Sequence, residues 1–268
     1  MKQVLSVQDL SCLGKCSLTV ALPVLSAMGC AATALPTTLL STHTAFPAPH
    51  RRSLTEDLMP ICRHWQSVGA SFDTVSVGYL ADAAQVQAVE QVLDAFPGAL
   101  TVIDPVMGDH GRLYSSIGED HVQAMKKLCR RGNVLLPNVT EAALLTGIPY
   151  RQTTDMGYYR QLLAGMEDFG ADAVILTGVC LQEDTLGCFG KDRAGEFSCQ
   201  NPRISRQCHG TGDLFAAVVA GAMTRGMTAR EAACLAARFV ARVVEATPEA
   251  TPFGVSFEEI LPWLWEQL

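Results

Sequence analysis

Short apolar segments alternate with longer helical patterns along most of this chain, and this alternation limits the folds that the chain can adopt. The segments that favour strands are residues 3–8, 31–40, 73–80, 99–106, 133–138 and 171–178. Helical spacing of apolar residues follows at residues 17–29, 53–69, 82–96, 118–132 and 140–147. Strands that alternate with helices predict an α/β fold with a mostly parallel central sheet and helices on both faces.

The pattern changes near the end of the chain. Residues 184–200 favour two strands joined by the polar turn "KDRAG", which predicts an antiparallel edge, and two long helices follow at 212–225 and 228–245. The chain has 268 residues, 49% of them hydrophobic, and shows no internal repeat or linker. That is enough apolar material for one large core, so we predict a single domain over residues 1–268.

The overall composition argues against several classes of protein. A net charge of −7 and a pI near 5.3, without blocks of like charge, make a nucleic-acid partner unexpected. Apolar runs fall short of the roughly 18 residues that cross a bilayer, and the first residues lack the apolar core of a signal peptide. We therefore expect no membrane partner and a cytoplasmic location. The chain has ten cysteines and no CxxC pair, which we interpret as free, mostly buried thiols.

The stretch "HGTGDLFAA" (209–217) places two glycines and an aspartate where a turn becomes an apolar helix. Glycines let the backbone approach a ligand closely, and the first N–H groups of a helix lack helical partners, so the turn suits an anion such as phosphate. Asp213 follows this turn and could accept a proton from an attacking hydroxyl. The alternative is that Asp213 only caps its helix.

Polar side chains also follow several of the predicted strands. Asp104 and Asp109 lie in "IDPVMGD", and Asn138 and Glu141 lie in "PNVTEAALL". Oxygen ligands at strand ends suit Mg²⁺, which takes one or two carboxylates together with water and substrate phosphates. The alternatives are that Asp104 belongs to an Asp-Pro turn and that Glu141 is a first-turn acid that stabilises its helix.

Two familiar nucleotide motifs are excluded. The segment "DLSCLGKCS" (9–17) contains Gly14-Lys15, but Asp9 stands where a Walker A loop has its first glycine, and Cys16 replaces the Ser/Thr. The first strand is not followed by G-x-G-x-x-G, so a dinucleotide-binding fold has no support.

The motifs resemble those of the ribokinase-like small-molecule kinases. "HGTGDLFAA" is similar to the C-terminal signature of that superfamily, and "IDPVMGD", "LLPNVTEAALLTG" and "VILTG" resemble its further blocks in order and separation. Within it, "LPTTLLSTHTAF" and "VGYL" look most like the pyridoxal kinase branch. The resemblance spans nearly the whole chain and implies a three-layer sandwich and an ATP- and Mg²⁺-dependent kinase that acts on the 5′-hydroxymethyl group of a vitamin B6 vitamer.

The resemblance also implies a role for each matching position. Asp213 would be the catalytic base, and the anion hole would consist of Gly210, Thr211 and Gly212. The residues expected at ATP are Asn138, Thr177 and Phe215. Those expected at the vitamer are Asp9, His43, Thr44 and Tyr79. Those expected at Mg²⁺ are Asp104, Asp109 and Glu141.

Some positions depart from the family pattern. Asp9 stands where many pyridoxal kinases have serine, and Thr42 stands where asparagine is usual. A hydroxymethylpyrimidine kinase on the same scaffold, or a vitamer-binding protein without catalysis, therefore stays open as an alternative. The family also implies a homodimer.

Overall fold

The structure, a computed structural model, describes residues 1–206, 208–249 and 251–268. Its strands are β1 (Gln3–Leu13), β2 (Ala31–Thr42), β3 (Arg51–Ser53), β4 (Thr74–Val77), β5 (Leu100–Ile103), β6 (Gly108–Asp109), β7 (Arg112–Leu113), β8 (Val134–Leu135), β9 (Ala173–Val179), β10 (Thr185–Asp192) and β11 (Gly195–Pro202).

The α-helices connect or flank these strands. They are α1 (Leu18–Ala27), α2 (Thr55–Ser67), α3 (Ala83–Ala95), α4 (Glu119–Cys129), α5 (Val139–Thr146), α6 (Met156–Met166), α7 (Thr211–Thr224), α8 (Ala229–Ala246) and α9 (Leu261–Trp265). Among the helices of the described ranges, none combines the length and the apolar character that a membrane span requires.

One twisted sheet organises the chain, with the strand order β11-β10-β9-β8-β5-β4-β1-β2-β3. The strands from β9 to β2 in that order pair in parallel, whereas β10 and β11 at one edge and β3 at the other pair antiparallel. The small hairpin β6–β7 stands outside this sheet. The predicted α/β architecture with an antiparallel edge is confirmed.

Helices cover both faces of the sheet because side chains in each central strand alternate between two apolar layers. In β1, Val4 faces one layer and Leu5 the other; in β5, Val102 and Ile103 divide in the same way. The layer that contains Leu5 and Ile103 includes residues of α2 to α6, and the layer that contains Val4 and Val102 includes residues of α1, α7, α8 and α9. Each fully buried aliphatic side chain contributes about 1.5–3 kcal/mol relative to exposure, so both layers are needed to hold the sheet.

Three local expectations were wrong or incomplete. The spacing of Ser53 and Glu56 predicts a capping box at the start of the second helix, but Ser53 ends strand β3, and α2 begins at Thr55 without a side-chain cap. Helix α6 was not predicted. Cys199 of β11 and Cys234 of α8 form a disulfide with 5.3 Å between their Cα atoms, so the interpretation of all ten cysteines as free thiols was wrong for these two.

Candidate active site

The carboxyl ends of the parallel strands gather the residues that the sequence singled out. Asp9 lies in the last part of β1, Tyr79 follows β4, and Asp104 directly follows β5. Asn138 follows β8, and Thr177 lies near the end of β9. This edge is where open α/β sheets bind their ligands, and helix α7 points its first turn at it.

Asp213 is the third residue of helix α7 and does not cap it. The N-cap is Gly210, and the helix has no side-chain capping bond. The backbone N–H of Ser17 instead lies close enough to the carboxylate of Asp213 to influence its pKa. Burial raises the pKa of Asp213 to about 7, the nearby negative charge of Asp9 adds to the rise, and the Ser17 N–H opposes it. A carboxylate with a pKa near neutrality is suited to taking a proton from an alcohol.

The turn before Asp213 is an open cradle of backbone N–H groups. Gly210 has φ of 89°, in the left-handed region, and the Lys15 carbonyl oxygen lies where a side chain would begin. Only glycine fits both conditions. The first hydrogen bond of α7 runs from the Leu214 N–H to the Gly210 carbonyl. The N–H groups of Thr211 and Gly212 therefore have no acceptor within the helix, and they lie at its N-terminal end, where the helix dipole is positive.

Asp104 and Glu141 bring two further carboxylates to the same place. Asp104 Oδ2 lies 3.9 Å from the position that a Cβ on Gly212 would occupy. Burial raises the pKa of Asp104 well above its usual range, and the charges of Glu141 and Asp213 raise it further. Burial likewise raises the pKa of Glu141 to about 8. The surroundings of these two carboxyl groups therefore favour the binding of a cation.

Glu141 is also part of the local scaffold. Its Oε2 accepts from the Asn138 N–H at 2.8 Å and its Oε1 from the Met107 N–H at 3.0 Å. Asn138 reciprocates by accepting the Glu141 N–H at 2.9 Å, which completes a capping box on α5. The first-turn stabilising role that we weighed for Glu141 is thus present, together with the electrostatic one.

Asn138 and Thr177 tie neighbouring strand ends together. The Asn138 Nδ2 donates to the Gly108 carbonyl at 2.8 Å, and Asn138 forms a parallel bridge with Thr177. Thr177 is partly exposed at the rim, whereas Phe215 is buried in the apolar layer beneath α7. Contact of these three residues with a nucleotide stays a prediction.

Asp109 lies on the β6–β7 hairpin, near the carboxylate of Glu141. The hairpin turn uses His110 and Gly111 at φ of 50° and 76°, a left-handed pair that matches the twist of a two-residue hairpin. Asp109 Oδ1 accepts from the His110 N–H at 2.7 Å, and its side chain is 55% exposed. Within the part of the chain that the structure describes, no three His, Cys, Asp or Glu side chains are arranged to hold a metal by themselves.

Asp9 is almost fully enclosed, with 2% of its surface exposed. Ser11 Oγ donates to its Oδ2 at 3.0 Å, and Ser17 Oγ makes a short hydrogen bond to its Oδ1. Burial raises the pKa of Asp9, and these hydroxyls oppose the rise. Because both oxygens already have partners, direct contact between Asp9 and a ligand stays a prediction.

His43 joins the "STHT" loop to the glycine turn. Its ring centroid lies 4.7 Å from that of His209 and 4.7 Å from that of Phe46, and its Nε2 lies 2.9 Å from the Pro252 carbonyl. Phe46 in turn stacks on Phe253 at 5.5 Å. The loop at 43–50, the turn at 208–210 and the segment at 251–255 therefore meet beside Asp213's helix.

Thr44 and Tyr79 lie at different depths along this rim. Thr44 is exposed on the loop, whereas Tyr79 is buried with its hydroxyl 3.4 Å from Ser116 Oγ. The structure thus gives Tyr79 a partner in the segment after the β6–β7 hairpin. Their contact with a vitamer stays a prediction.

Two residues at the site had no signal in the sequence. Ser17 has φ of 52°, unusual for a residue with a side chain, and no spacing rule links it to Asp213. Tyr114 is 40% exposed, and burial raises the pKa of its hydroxyl. Four neighbouring carboxylates add to that rise: Glu141, Asp109, Asp104 and Asp213.

Comparison with known proteins agrees with this geometry. The family model described as phosphomethylpyrimidine kinase matches residues 22–256. This chain belongs to the phosphomethylpyrimidine kinase family. The match covers every strand and helix that carries the candidate site except β1, which lies before its first residue.

Several proteins that resemble the chain are named for vitamin B6 chemistry or were crystallised with a vitamer. A pyridoxine/pyridoxal/pyridoxamine kinase of Bordetella avium is 29% identical over 85% of this chain and 80% of its own length. The crystal structure of pyridoxal kinase from Lactobacillus plantarum is 35% identical, with a TM-score of 0.91 over 100% of this chain and 98% of that one. The crystal structure of a putative phosphomethylpyrimidine kinase from Bacteroides thetaiotaomicron, in a crystal form with pyridoxal, is 31% identical, with a TM-score of 0.92 over 98% of this chain and 95% of that one. The resemblance to ribokinase-like pyridoxal kinases is confirmed.

Proposed function

We propose that this protein transfers the γ-phosphoryl group of ATP to the 5′-hydroxymethyl group of pyridoxal, pyridoxine or pyridoxamine. The observation that carries the proposal is Asp213, held in the first turn of α7 with a pKa near 7 and next to the N–H cradle at Gly210–Gly212. Kinase relatives that cover most of the chain support the reaction class.

The chain's own groups account for the transfer. Asp213 accepts the proton of the 5′-hydroxyl as its oxygen attacks the γ-phosphorus in line. The N–H groups of Gly210, Thr211 and Gly212 lie where the phosphoryl oxygens gain charge, and the helix dipole adds to their effect. Asn138 and Thr177 lie at the adjoining strand ends, where the remaining phosphates of the nucleotide would extend.

Mg²⁺ fits the carboxylates at this edge. Glu141 is buried and Asp104 half-buried, close to one another and to the cradle, and Asp109 lies on the adjoining hairpin. Neighbouring carboxylates with raised pKa values favour a cation. When bound, the ion would neutralise charge on the β- and γ-phosphates. These residues are few enough to leave coordination positions for water and phosphate oxygens.

The vitamer would lie between the "STHT" loop and Tyr79. His43 packs against His209 of the glycine turn, so a ring held beside His43, Thr44 and Tyr79 would have its hydroxymethyl group near Asp213. The hydroxymethylpyrimidine alternative is not favoured, because the relatives at 29% and 35% identity are named for B6 vitamers and the 31% identical neighbour, although named a putative phosphomethylpyrimidine kinase, has a crystal form with pyridoxal. A homodimer and a cytoplasmic location stay predictions.

The test is turnover of each vitamer and of hydroxymethylpyrimidine with ATP and Mg²⁺, together with the variant Asp213→Asn. The variant keeps the shape of the side chain but cannot act as a base, so kcat should fall by about 10²–10⁴-fold with ATP affinity unchanged. Asp57→Asn, another first-turn helix acid that is exposed on α2, serves as the matched control. Retained turnover in Asp213→Asn, or preference for the pyrimidine, would contradict the proposal.

A further inference from the structure

Gln85 is a fully buried polar side chain that the proposed mechanism does not use. It lies in the first turn of α3 with 0% of its surface exposed, and its carboxamide contacts three separate segments. Its Oε1 accepts from the Ala81 N–H at 2.8 Å. Its Nε2 donates at 2.8 Å to both the Thr37 carbonyl and Thr38 Oγ1, and more weakly at 3.3 Å to Ser53 Oγ. A buried amide is costly unless it is hydrogen-bonded, so this arrangement is strongly specified.

Two of these partners form an irregularity in the sheet. The register of β1 with β2 passes from Gln8–Pro36 to Leu10–Leu39, so Thr37 and Thr38 together lie opposite Asp9. A β-bulge of this kind disrupts the ladder, bends the strand and re-aims side chains beside functional sites. The Gln85 carboxamide binds both residues of the bulge, one through its carbonyl and the other through its hydroxyl.

The bulge determines to which face of the sheet each later side chain of β2 points. Side chains alternate along a strand, so a slip of one residue would turn the later side chains to the opposite face. Past the bulge, β2 continues to Thr42 and delivers His43 and Thr44 to the rim of the site. Holding the bulge therefore holds the register of the "STHT" loop.

The other end of the same carboxamide fixes the segment after β4. Ala81 is two residues from Tyr79, which extends from the carboxyl end of β4 toward Ser116. The bond from Ala81 N–H to Gln85 Oε1 ties this segment to α3, whose own N-cap, Asp82, accepts the Gln85 N–H at 2.9 Å. One side chain thus connects the segments that carry His43 and Tyr79, and it holds the two β2 residues that lie opposite Asp9.

We propose that Gln85 is a positioning residue for vitamer recognition, which sets the spacing of the ring-facing segments by bridging the β2 bulge and the loop after Tyr79. The inference rests on the proposed function, because it assigns those segments to the ring. Gln85 acts through its partners and has no contact with the nucleotide side of the site, where α7 and β8 provide the groups.

The variant Gln85→Met tests this role with little change in side-chain volume. It removes both halves of the bridge, and we expect KM for the vitamer to rise about tenfold, as the loss of two net hydrogen bonds implies, with KM for ATP within about twofold of wild type. Thr38→Val removes one acceptor and keeps the strand, so it should give a smaller rise in the same direction. Gln87→Met, on the exposed side of the same helix, is the control and should change neither KM.

Hydrogen exchange provides a readout that does not depend on turnover. The Ala81 amide loses its acceptor in Gln85→Met, so residues 79–82 and 38–44 should exchange faster than in wild type, whereas Gln87→Met should match wild type. If wild type phosphorylates no vitamer, the proposed function fails, while this exchange result still decides whether Gln85 couples the two segments.

Two outcomes would overturn the proposal. One is a lowered melting temperature in Gln85→Met with both KM values unchanged, and the other is an equal rise of both KM values; either would make Gln85 a purely structural residue. Should Gln85→Met fail to fold, Thr38→Val decides the same question, because an unchanged vitamer KM in that variant removes the bulge from recognition.

Discussion

Ser17 lies beside Asp213 in a left-handed conformation with φ of 52°, and its backbone N–H lowers the pKa of that carboxyl. The hydroxyl of the same residue donates to Asp9. A non-glycine residue in this region costs free energy and persists only where its surroundings hold it. Here the hydrogen bond to Asp9 helps to do so, and Ser17 stands between two carboxylates whose charges affect each other.

Replacement of Asp9 should therefore move the pH dependence of the reaction. Burial raises the pKa of Asp213 to about 7 and the charge of Asp9 adds to it, so kcat/KM should fall as the pH drops below about 7, because the base becomes protonated. Asp9→Asn removes that charge and should shift this acidic limb to lower pH. The measurement is kcat/KM for ATP against pH at saturating vitamer. Asp172→Asn, exposed before β9, should leave the limb in place; an unshifted limb in Asp9→Asn would show that the two carboxylates are not coupled.

Gly210 should not tolerate a side chain, because a Cβ there would clash with a neighbouring carbonyl in addition to straining the backbone. Gly210→Ala would have both a positive φ and a clash with the Lys15 carbonyl, so the cradle must shift, and we expect a large loss of kcat together with about 1–3 kcal/mol of stability. Gly226 follows the other end of α7 at φ of 97° with open space around it. Gly226→Ala should therefore lose about 1 kcal/mol and keep its activity. Thermal melts and steady-state rates of both variants check this, and equal activity in the two would contradict it.

Much of the fold follows from patterns that lie close together in the sequence. The alternation of apolar strands and amphipathic helices predicts the parallel sheet. Neighbouring apolar residues of a central strand face opposite layers, as Val4 and Leu5 do. Strand ends predict the meeting of Asp104 and Glu141, because both follow parallel strands that share an edge. Helix α6 was missed because its turns mix tyrosine, glycine and charged residues with the apolar ones.

The remaining features depend on long-range geometry that no local pattern encodes. Ser17 reaches Asp213 from almost the other end of the chain, and the β2 bulge exists only relative to the register of β1. Cys199 and Cys234 lie 35 residues apart, a spacing that does not by itself indicate a disulfide. Only the packing of β11 against α8 brings them together. The Ser53–Glu56 pattern fits a capping box, but sheet pairing of Ser53 with Thr38 prevails over the local preference.

Magnesium affinity should depend on pH through Glu141. Burial raises the pKa of Glu141 to about 8, so below that pH the metal must displace a proton, and its apparent affinity should increase as the pH rises through about 8 and then level off. Glu141→Gln should weaken Mg²⁺ binding and flatten this dependence. Calorimetric titration of Mg²⁺ in the presence of a non-hydrolysable ATP analogue measures both. Glu119→Gln, an exposed first-turn acid on α4, is the control, and the same pH dependence in Glu141→Gln would assign the proton to another group.

The disulfide between Cys199 and Cys234 should stabilise the protein and be detectable by counting thiols. It closes a loop between residues 35 apart, which corresponds to about 4 kcal/mol of chain-entropy stabilisation. Denatured without reductant, the protein should show eight titratable thiols of its ten cysteines. Cys234→Ser should lower the melting temperature, whereas Cys12→Ser, an exposed free thiol, should not. A count of ten thiols in freshly prepared, unreduced protein would contradict the pairing.

His121 should make the folded protein sensitive to mild acid. Its ring is buried in α4 with 1% of its surface exposed, and no group of residues 1–206, 208–249 and 251–268 bonds either ring nitrogen. Burial lowers its pKa, against the charges of Asp120 and Asp82, so between the folded pKa and the unfolded value near 6.5 the unfolded chain binds more protons. The stabilising effect of the neutral ring is therefore fully present above pH about 6.5 and is lost as the pH falls, by at most about 1.4 kcal/mol per pH unit.

Denaturant unfolding at a series of pH values measures this slope. His121→Leu removes the titrating group and should make the free energy of unfolding less steep below pH about 6.5; since the ring nitrogens have no partner to lose, little stability should be lost near neutral pH. His64→Asn, exposed in the last turn of α2, should keep the wild-type slope. If His121→Leu retains the full slope, buried carboxyl groups rather than this imidazole control the response of the protein to acid.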